Sequence, residues 1–192
     1  MGGPRRTLDE RLAALEEAID VIRSALDVGP EKRVVRGAGP HYPIPGYPAG
    51  PPPAHRVGIW VGAMLPQTLE LIGRRADGWV PSVGRNTIGD VRAASRAIDV
   101  AALVAGRDPS DVRRILNVSG QITDGARGAD PLVGPVDQWV ETLAEWALDV
   151  GVDAFIVWPQ DTDLRHVERL AAEVVPAVRE LLAASTPGGG SG

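Results

Sequence analysis

The chain has 192 residues, 44% of them hydrophobic and 23% charged, with a net charge of −5 and no cysteine, so it suits one globular core but falls short of the roughly 250 residues of a complete (β/α)8 barrel. Acidic and basic residues are mixed, which leaves no basic stripe to neutralise a nucleic-acid backbone, and no apolar run nears the ~18 residues of a membrane span. The opening Met1-Gly-Gly-Pro-Arg-Arg6 is not followed by the apolar stretch of an export signal, and a cytoplasmic protein is expected.

Thr7-Leu-Asp-Glu10 forms a capping box, and Leu8, Leu12, Leu15, Ile19, Ile22 and Leu26 share one helical face, which predicts a long amphipathic helix at the start. From Gly29 to Ala54 the composition turns to Pro, Gly and Tyr. Arg33-Val-Val-Arg36, a turn at Gly37 to Pro40 and an extended piece around Tyr42 to Ile44 predict a hairpin followed by a proline-rich connection. Short apolar runs then recur at Val57 to Val61, Gly78 to Val80, Ile115 to Val118 and Ala154 to Trp158. Each precedes a helical stretch, namely Pro66 to Arg75, Thr87 to Ala105, Val136 to Val150 and Thr162 to Ala184. Strands without inside/outside alternation, separated by helices, predict four βα units and a parallel sheet buried on both faces. Gly106 and Gly151 stand where helix stops are wanted, Pro176 interrupts the last helix, and Ser185 to Gly192 reads as a flexible tail.

Pattern alone leaves two architectures, a doubly wound open sheet and part of a closed barrel, since both use right-handed βαβ crossovers. A dinucleotide-binding sheet needs a Gly-x-Gly-x-x-Gly turn after an early strand, and neither Val61-Gly-Ala-Met-Leu-Pro66 nor Pro81-Ser-Val-Gly84 supplies one. The barrel is favoured.

Ile59-Trp-Val-Gly-Ala-Met-Leu-Pro66 with Leu69-Glu-Leu-Ile-Gly-Arg-Arg-Ala-Asp-Gly-Trp-Val-Pro81 resembles the central signature of the luciferase-like monooxygenase family. Four further marks occur in the family's order: Leu15 to Arg23, Gly39 to Tyr42, Gly106 to Pro109 and Gly151 to Val157. The resemblance runs from about Leu8 to Leu182 and is nearest to the subgroup that uses a 5-deazaflavin coenzyme (F-420) in place of FMN. It implies an α/β fold, a partial (β/α)8 TIM barrel made of the last four βα units with parallel strands, preceded by a long helix and a β-hairpin insertion. The half-barrel is placed at residues 4–184, ahead of the tail at 185–192. The family's first four strands have no counterpart here, and with them go its usual acid/base side chains. The catalytic residues are therefore unknown.

In a barrel of this kind ligands sit at the carboxyl ends of the strands, which singles out four loops: Gly62 to Pro66, Ser82 to Arg85, Ser119 to Gln121 and Pro159 to Asp161. Gly62, Ala63 and Met64 allow close approach of backbone to ligand ahead of a helix N-terminus, where the resemblance implies cofactor phosphate contacts; a tight strand-to-helix turn is the alternative. Ser82, Gly84 and Arg85 combine a hydroxyl, a backbone amide and a guanidinium suited to phosphate. The resemblance implies that a basic residue at Arg85 grips the cofactor, against the alternative of an ordinary surface arginine in a chain whose only lysine is Lys32. Arg127 is expected to be solvated. Asp77, at the amino end of a strand, is expected to be structural. His41, His55 and His166 lack metal-ligand spacing, so no metal is expected. Trp60, Trp79, Trp139, Trp146 and Trp158 are expected in the core, with Trp158 alone placed to border a flavin-type ring.

The function implied is that of an oxidoreductase module binding F-420 or FMN at the barrel rim and acting on a small organic substrate. Its open edges predict self-association or a complementary N-terminal half-barrel chain as partner. The alternative is a non-catalytic, shortened flavoprotein-like binding or structural protein.

Overall fold

The computed structural model describes residues 5–29, 31–160 and 164–185. The chain forms two compact units, one comprising residues 1–79 and 96–112 and the other residues 80–95 and 113–192.

The first unit opens with helix α1 (Leu8–Leu26), capped as predicted: the Glu10 N–H donates to the Thr7 hydroxyl and the Thr7 N–H to the Glu10 carboxylate. Ala14 and Ile19 are its buried residues. The hairpin follows as antiparallel β1 (Val34–Gly37) and β2 (Ile44–Pro48), with the second strand later than predicted. The displacement has a visible cause. The Glu17 carboxylate of α1 accepts the backbone N–H groups of His41 and Tyr42, so those residues belong to the turn and pairing starts only at Ile44. Strand β3 is shorter than its apolar run, Trp60–Val61, and pairs in parallel with β4 (Gly78–Trp79). Between them lies α2 (Pro66–Arg75), which buries Leu69, Leu71 and Ile72.

Helix α3 (Ile88–Val104) begins with a reciprocal cap in which the Asp90 N–H donates to the Thr87 hydroxyl and the Thr87 N–H to the Asp90 carboxylate. Its residues from Arg96 onward belong to the first unit.

In the second unit β5 (Arg113–Ile122) is the central strand, paired in parallel with β6 (Val133–Gly134) and with β7 (Ala154–Pro159). Strand β5 runs beyond the predicted Val118 on the carboxyl side. Ser119 to Gln121, expected to be a rim loop, therefore lie within the strand, and Gly120 pairs with Pro159. Strand β6 has no counterpart among the predicted elements. Helix α4 (Val136–Val150) stops at Gly151, the expected residue, and buries Trp139, Leu143 and Trp146. The last helical stretch is α5 (Leu164–Arg169), a π-helical turn over Leu170–Val174, and α6 (Val175–Ser185). The irregularity predicted from Pro176 takes the form of that π-turn, in which the Val175 N–H reaches back five residues to the Leu170 carbonyl. The predicted tail beyond Ser185, Pro4, and the predicted helix start at Thr162 lie outside the described residues.

The architecture is α/β with parallel strands, and the described strands do not close into a barrel.

Candidate functional site at the carboxyl ends of the strands

In the first unit Gly62, Ala63 and Met64 form the segment that leaves β3 for α2, as predicted. Gly62 is exposed, while Ala63 and Met64 are half-buried. The Ala63 carbonyl accepts a hydrogen bond of 2.7 Å from Nε1 of Trp79, whose side chain is fully buried. Helix α2 has Pro66 in its first turn and no side-chain cap from Leu65. This segment is thus anchored on one side and open on the other.

Asp77 is buried at the amino end of β4. Its carboxylate takes a 2.9 Å bond from the Ile59 N–H and ion pairs with Arg23 at 2.9 Å and Arg56 at 2.8 Å. Burial pushes its pKa up, but the Ile59 amide and the two guanidiniums outweigh burial and leave it below the usual Asp value. It joins α1, the segment before β3 and β4, a structural role as expected.

In the second unit Ser82 and Val83 run beside the central strand. The Asn117 N–H donates to the Pro81 carbonyl and the Val83 N–H to the Asn117 carbonyl, and Ser82 bridges to Asn117 in parallel. The Asn86 amide closes the loop by donating to the Ser82 carbonyl at 3.0 Å. Gly84 holds φ +107°, a conformation disfavoured for other residues, with open space where a Cβ would stand. Arg85 beside it is exposed and makes no hydrogen bond or ion pair among the described residues. Arg127 contrasts with it. It is exposed too, yet its guanidinium is held by Asp137 at 2.7 Å and by Glu141, and its pKa is raised by the Glu141 bond first and the Asp137 bond second.

Parallel pairing places Ser82, Asn117 and Ile156 on one sheet face, with Ser119 and Trp158 one step nearer the carboxyl ends. Sequence reasoning missed Asn117. Its Oδ1 accepts a 3.2 Å bond from Trp158 Nε1, joining positions 41 residues apart. Trp158 is 62% exposed and Trp60 53%, so the expectation that both sit in the core fails, whereas Trp79, Trp139 and Trp146 are buried as expected. His166, given no role from sequence, is buried against Trp139 and accepts the Ile122 N–H on Nδ1 at 3.3 Å. Arg169 secures Asp124 nearby at 2.9 Å, so α5 holds the chain that leaves β5. Among the described residues no group of three or more His, Asp or Glu side chains is arranged to hold a metal ion. No described helix is long and apolar enough to cross a membrane.

Residues 1–143 match the sequence pattern of the luciferase-like monooxygenase family. The chain is 29% identical over 167 positions to an F420-dependent hydroxymycolic acid dehydrogenase of Mycobacterium tuberculosis (strain ATCC 25618 / H37Rv), covering 69% of this chain and 44% of the relative. It is 31% identical over 195 aligned positions to a phthiodiolone/phenolphthiodiolone dimycocerosates ketoreductase of Mycobacterium kansasii, covering 92% of this chain and 51% of the relative. Among solved structures, an F420-dependent secondary alcohol dehydrogenase superposes with TM-score 0.77 at 15% identity, over 93% of this chain and 65% of that one. A coenzyme F420-dependent tetrahydromethanopterin reductase from Methanopyrus kandleri gives 0.67 at 18% identity, over 86% and 63%. The chain spans about half the length of the curated relatives it matches. With the predicted marks present in order and the βα units in place, the chain belongs to the luciferase-like monooxygenase family.

Proposed function

We propose that this chain is the C-terminal half-barrel of an oxidoreductase that uses F-420 or FMN, and that the loop Ser82–Arg85 grips the cofactor phosphate. The observation that carries this is the state of Arg85: exposed and without a partner among the described residues, next to the open space at Gly84, on a loop fixed to β5 by two backbone hydrogen bonds. A guanidinium already neutralised by carboxylates, as Arg127 is, has little left to offer a phosphate. In the first unit, taken by itself, Gly62, Ala63 and Met64 ahead of the α2 N-terminus are proposed as backbone contacts to a cofactor. The relative from Mycobacterium tuberculosis, described as F420-dependent, favours the deazaflavin.

When bound, such a cofactor supplies hydride transfer to or from a small organic substrate. This chain's residues bind and orient: Arg85 and the Gly84 amide take the phosphate, and Ser82 offers a hydroxyl beside it. No side chain here is assigned as an acid or base. The half-barrel is also proposed to need cover, from a second copy or from a complementary N-terminal half. In the second unit Ile156 on the sheet and Leu148, Leu164 and Leu181 on the helices stand exposed, apolar surface that water penalises.

Titration of the purified protein with F-420 and with FMN tests the assignment. The expected result is saturable binding, weakened about tenfold to a hundredfold by Arg85→Ala, the range of a charge-assisted hydrogen bond. Unchanged affinity in that variant removes Arg85 from the site. Light scattering checks the need for cover, because a clean monomer at micromolar concentration that binds no apolar dye contradicts it. A protein that ignores both cofactors fits instead a non-catalytic binding or structural role.

A further inference from the structure

Among the described residues of the second unit, Trp158 is the largest apolar side chain left in solvent, and it has one polar tether. Its Nε1–H is committed to Oδ1 of Asn117 on the neighbouring strand. An indole whose N–H is satisfied has apolar surface left for contact, its π-face included, and an exposed flat face is what a planar conjugated ring stacks on. The polar surroundings are equally specific. Asn117 keeps its amide nitrogen without a partner among the described residues, and Ser119, which pairs with Trp158 in the sheet, is exposed. Donors beside the stacking plane suit a ring with carbonyl acceptors along its edge. The spacing fits as well: Ser82 neighbours Asn117 and Asn117 neighbours Ile156, so two inter-strand steps, about 10 Å, separate the Arg85 loop from the strand that carries Trp158. A short polyol tail joining ring to phosphate covers such a span.

We propose that Trp158 is the stacking face for the cofactor's tricyclic ring, and that Asn117 is the positioning residue that sets the indole's orientation. This rests on the reading that the Ser82–Arg85 loop takes the phosphate, since that loop fixes the end from which the ring is reached.

Riboflavin and 8-hydroxy-5-deazariboflavin, which carry the rings without phosphate, separate the two ideas. Their binding is followed by the ligand's visible absorbance, to avoid the signal of five tryptophans. Trp158→Ala is expected to weaken the better ligand about tenfold or more, and Trp158→Phe, which keeps a stacking ring, by less. Asn117→Ala is expected to cost severalfold in the natural background and clearly less in the Trp158→Phe background, where phenylalanine has no N–H for Asn117 to hold and only the amide's own contact with the ring is lost. Arg85→Ala leaves riboside binding unchanged while weakening the phosphorylated forms. No riboside binding by the natural protein, or equal affinity in Trp158→Ala, overturns the stacking proposal while the phosphate assignment is judged separately by Arg85→Ala. Equal cost of Asn117→Ala in both backgrounds overturns the positioning role. A Trp158→Ala variant that binds riboside normally but changes its association state assigns the indole to a protein interface instead. Far-UV circular dichroism of each variant confirms that the fold is kept.

Discussion

The indole of Trp79 donates to the carbonyl of Ala63 across 2.7 Å, so the segment leaving β3 is fastened to the buried end of β4. Trp79→Phe keeps most of the apolar volume but strips the carbonyl of its donor and leaves a small void. The expected loss is about 2–3 kcal/mol, measured by urea unfolding. Amide exchange at Met64 and Leu65 should speed up by more than the global change explains. Exchange that rises only in step with global stability would show that the bond does not anchor this segment.

Asp77 supplies a pH dependence whose sign is fixed by its surroundings. Its pKa lies below that of the unfolded chain, where an Asp carboxyl titrates near 3.9. The stability it contributes is therefore complete above that value and fades as pH falls below about 4, through the lower folded value. Asp77→Asn is expected to cost about 1–3 kcal/mol at neutral pH, a moderate figure because the Arg56 partner is largely exposed. The variant should also show a shallower loss between pH 4 and 2 than the natural protein. Parallel acid-unfolding curves for the two would contradict the assignment.

Gly73, in α2, faces α3 at very short range: a Cβ there would stand 2.6 Å from the Ile98 carbonyl oxygen and 2.7 Å from the Ala101 Cβ. Helix propensity favours alanine over glycine by about 1 kcal/mol. The clash with backbone opposes it, and Gly73→Ala is expected to destabilise by about 1–3 kcal/mol, read from the thermal unfolding midpoint. Stabilisation by the substitution would mean that the two helices separate easily.

Arg127→Ala serves as the control for Arg85. Exposed ion pairs are screened by solvent and contribute little, so stability should barely move, and cofactor affinity should not move at all. A loss of affinity comparable to that of Arg85→Ala would place Arg127 in the site, against the expectation.

Elements whose signal is local were readable from the sequence. The Thr7–Glu10 cap, the α2 and α4 ranges and the polar turn around Gly84 all depend on neighbours a few residues away. The length of β5 was hidden for a physical reason. Arg113, Asn117, Ser119 and Gln121 stand on its less buried face while Leu116, Val118 and Ile122 are buried, so polar residues that read as a loop are the open side of a strand. Strand β6 spans two residues, too few for a period to show. In the proposed site, Ser82 and Arg85 are legible by residue type, whereas the hydrogen bond between Asn117 and Trp158 joins positions 41 residues apart, which no local pattern encodes. The same holds for Glu17, whose carboxylate shapes the hairpin turn from a different element.

The wide turn at Leu170–Val174 sets the phase between α5 and α6. An i→i+5 turn holds one residue more than an α-helical turn, so the extra residue is absorbed there and the helix on either side keeps its facing. His166 thereby lies against Trp139 while Val178 stays in the interior. Removing one residue here would restore a continuous α-helix, whereas a further insertion, which the turn has no slack to take up, would turn His166 or Val178 outward by about 100°.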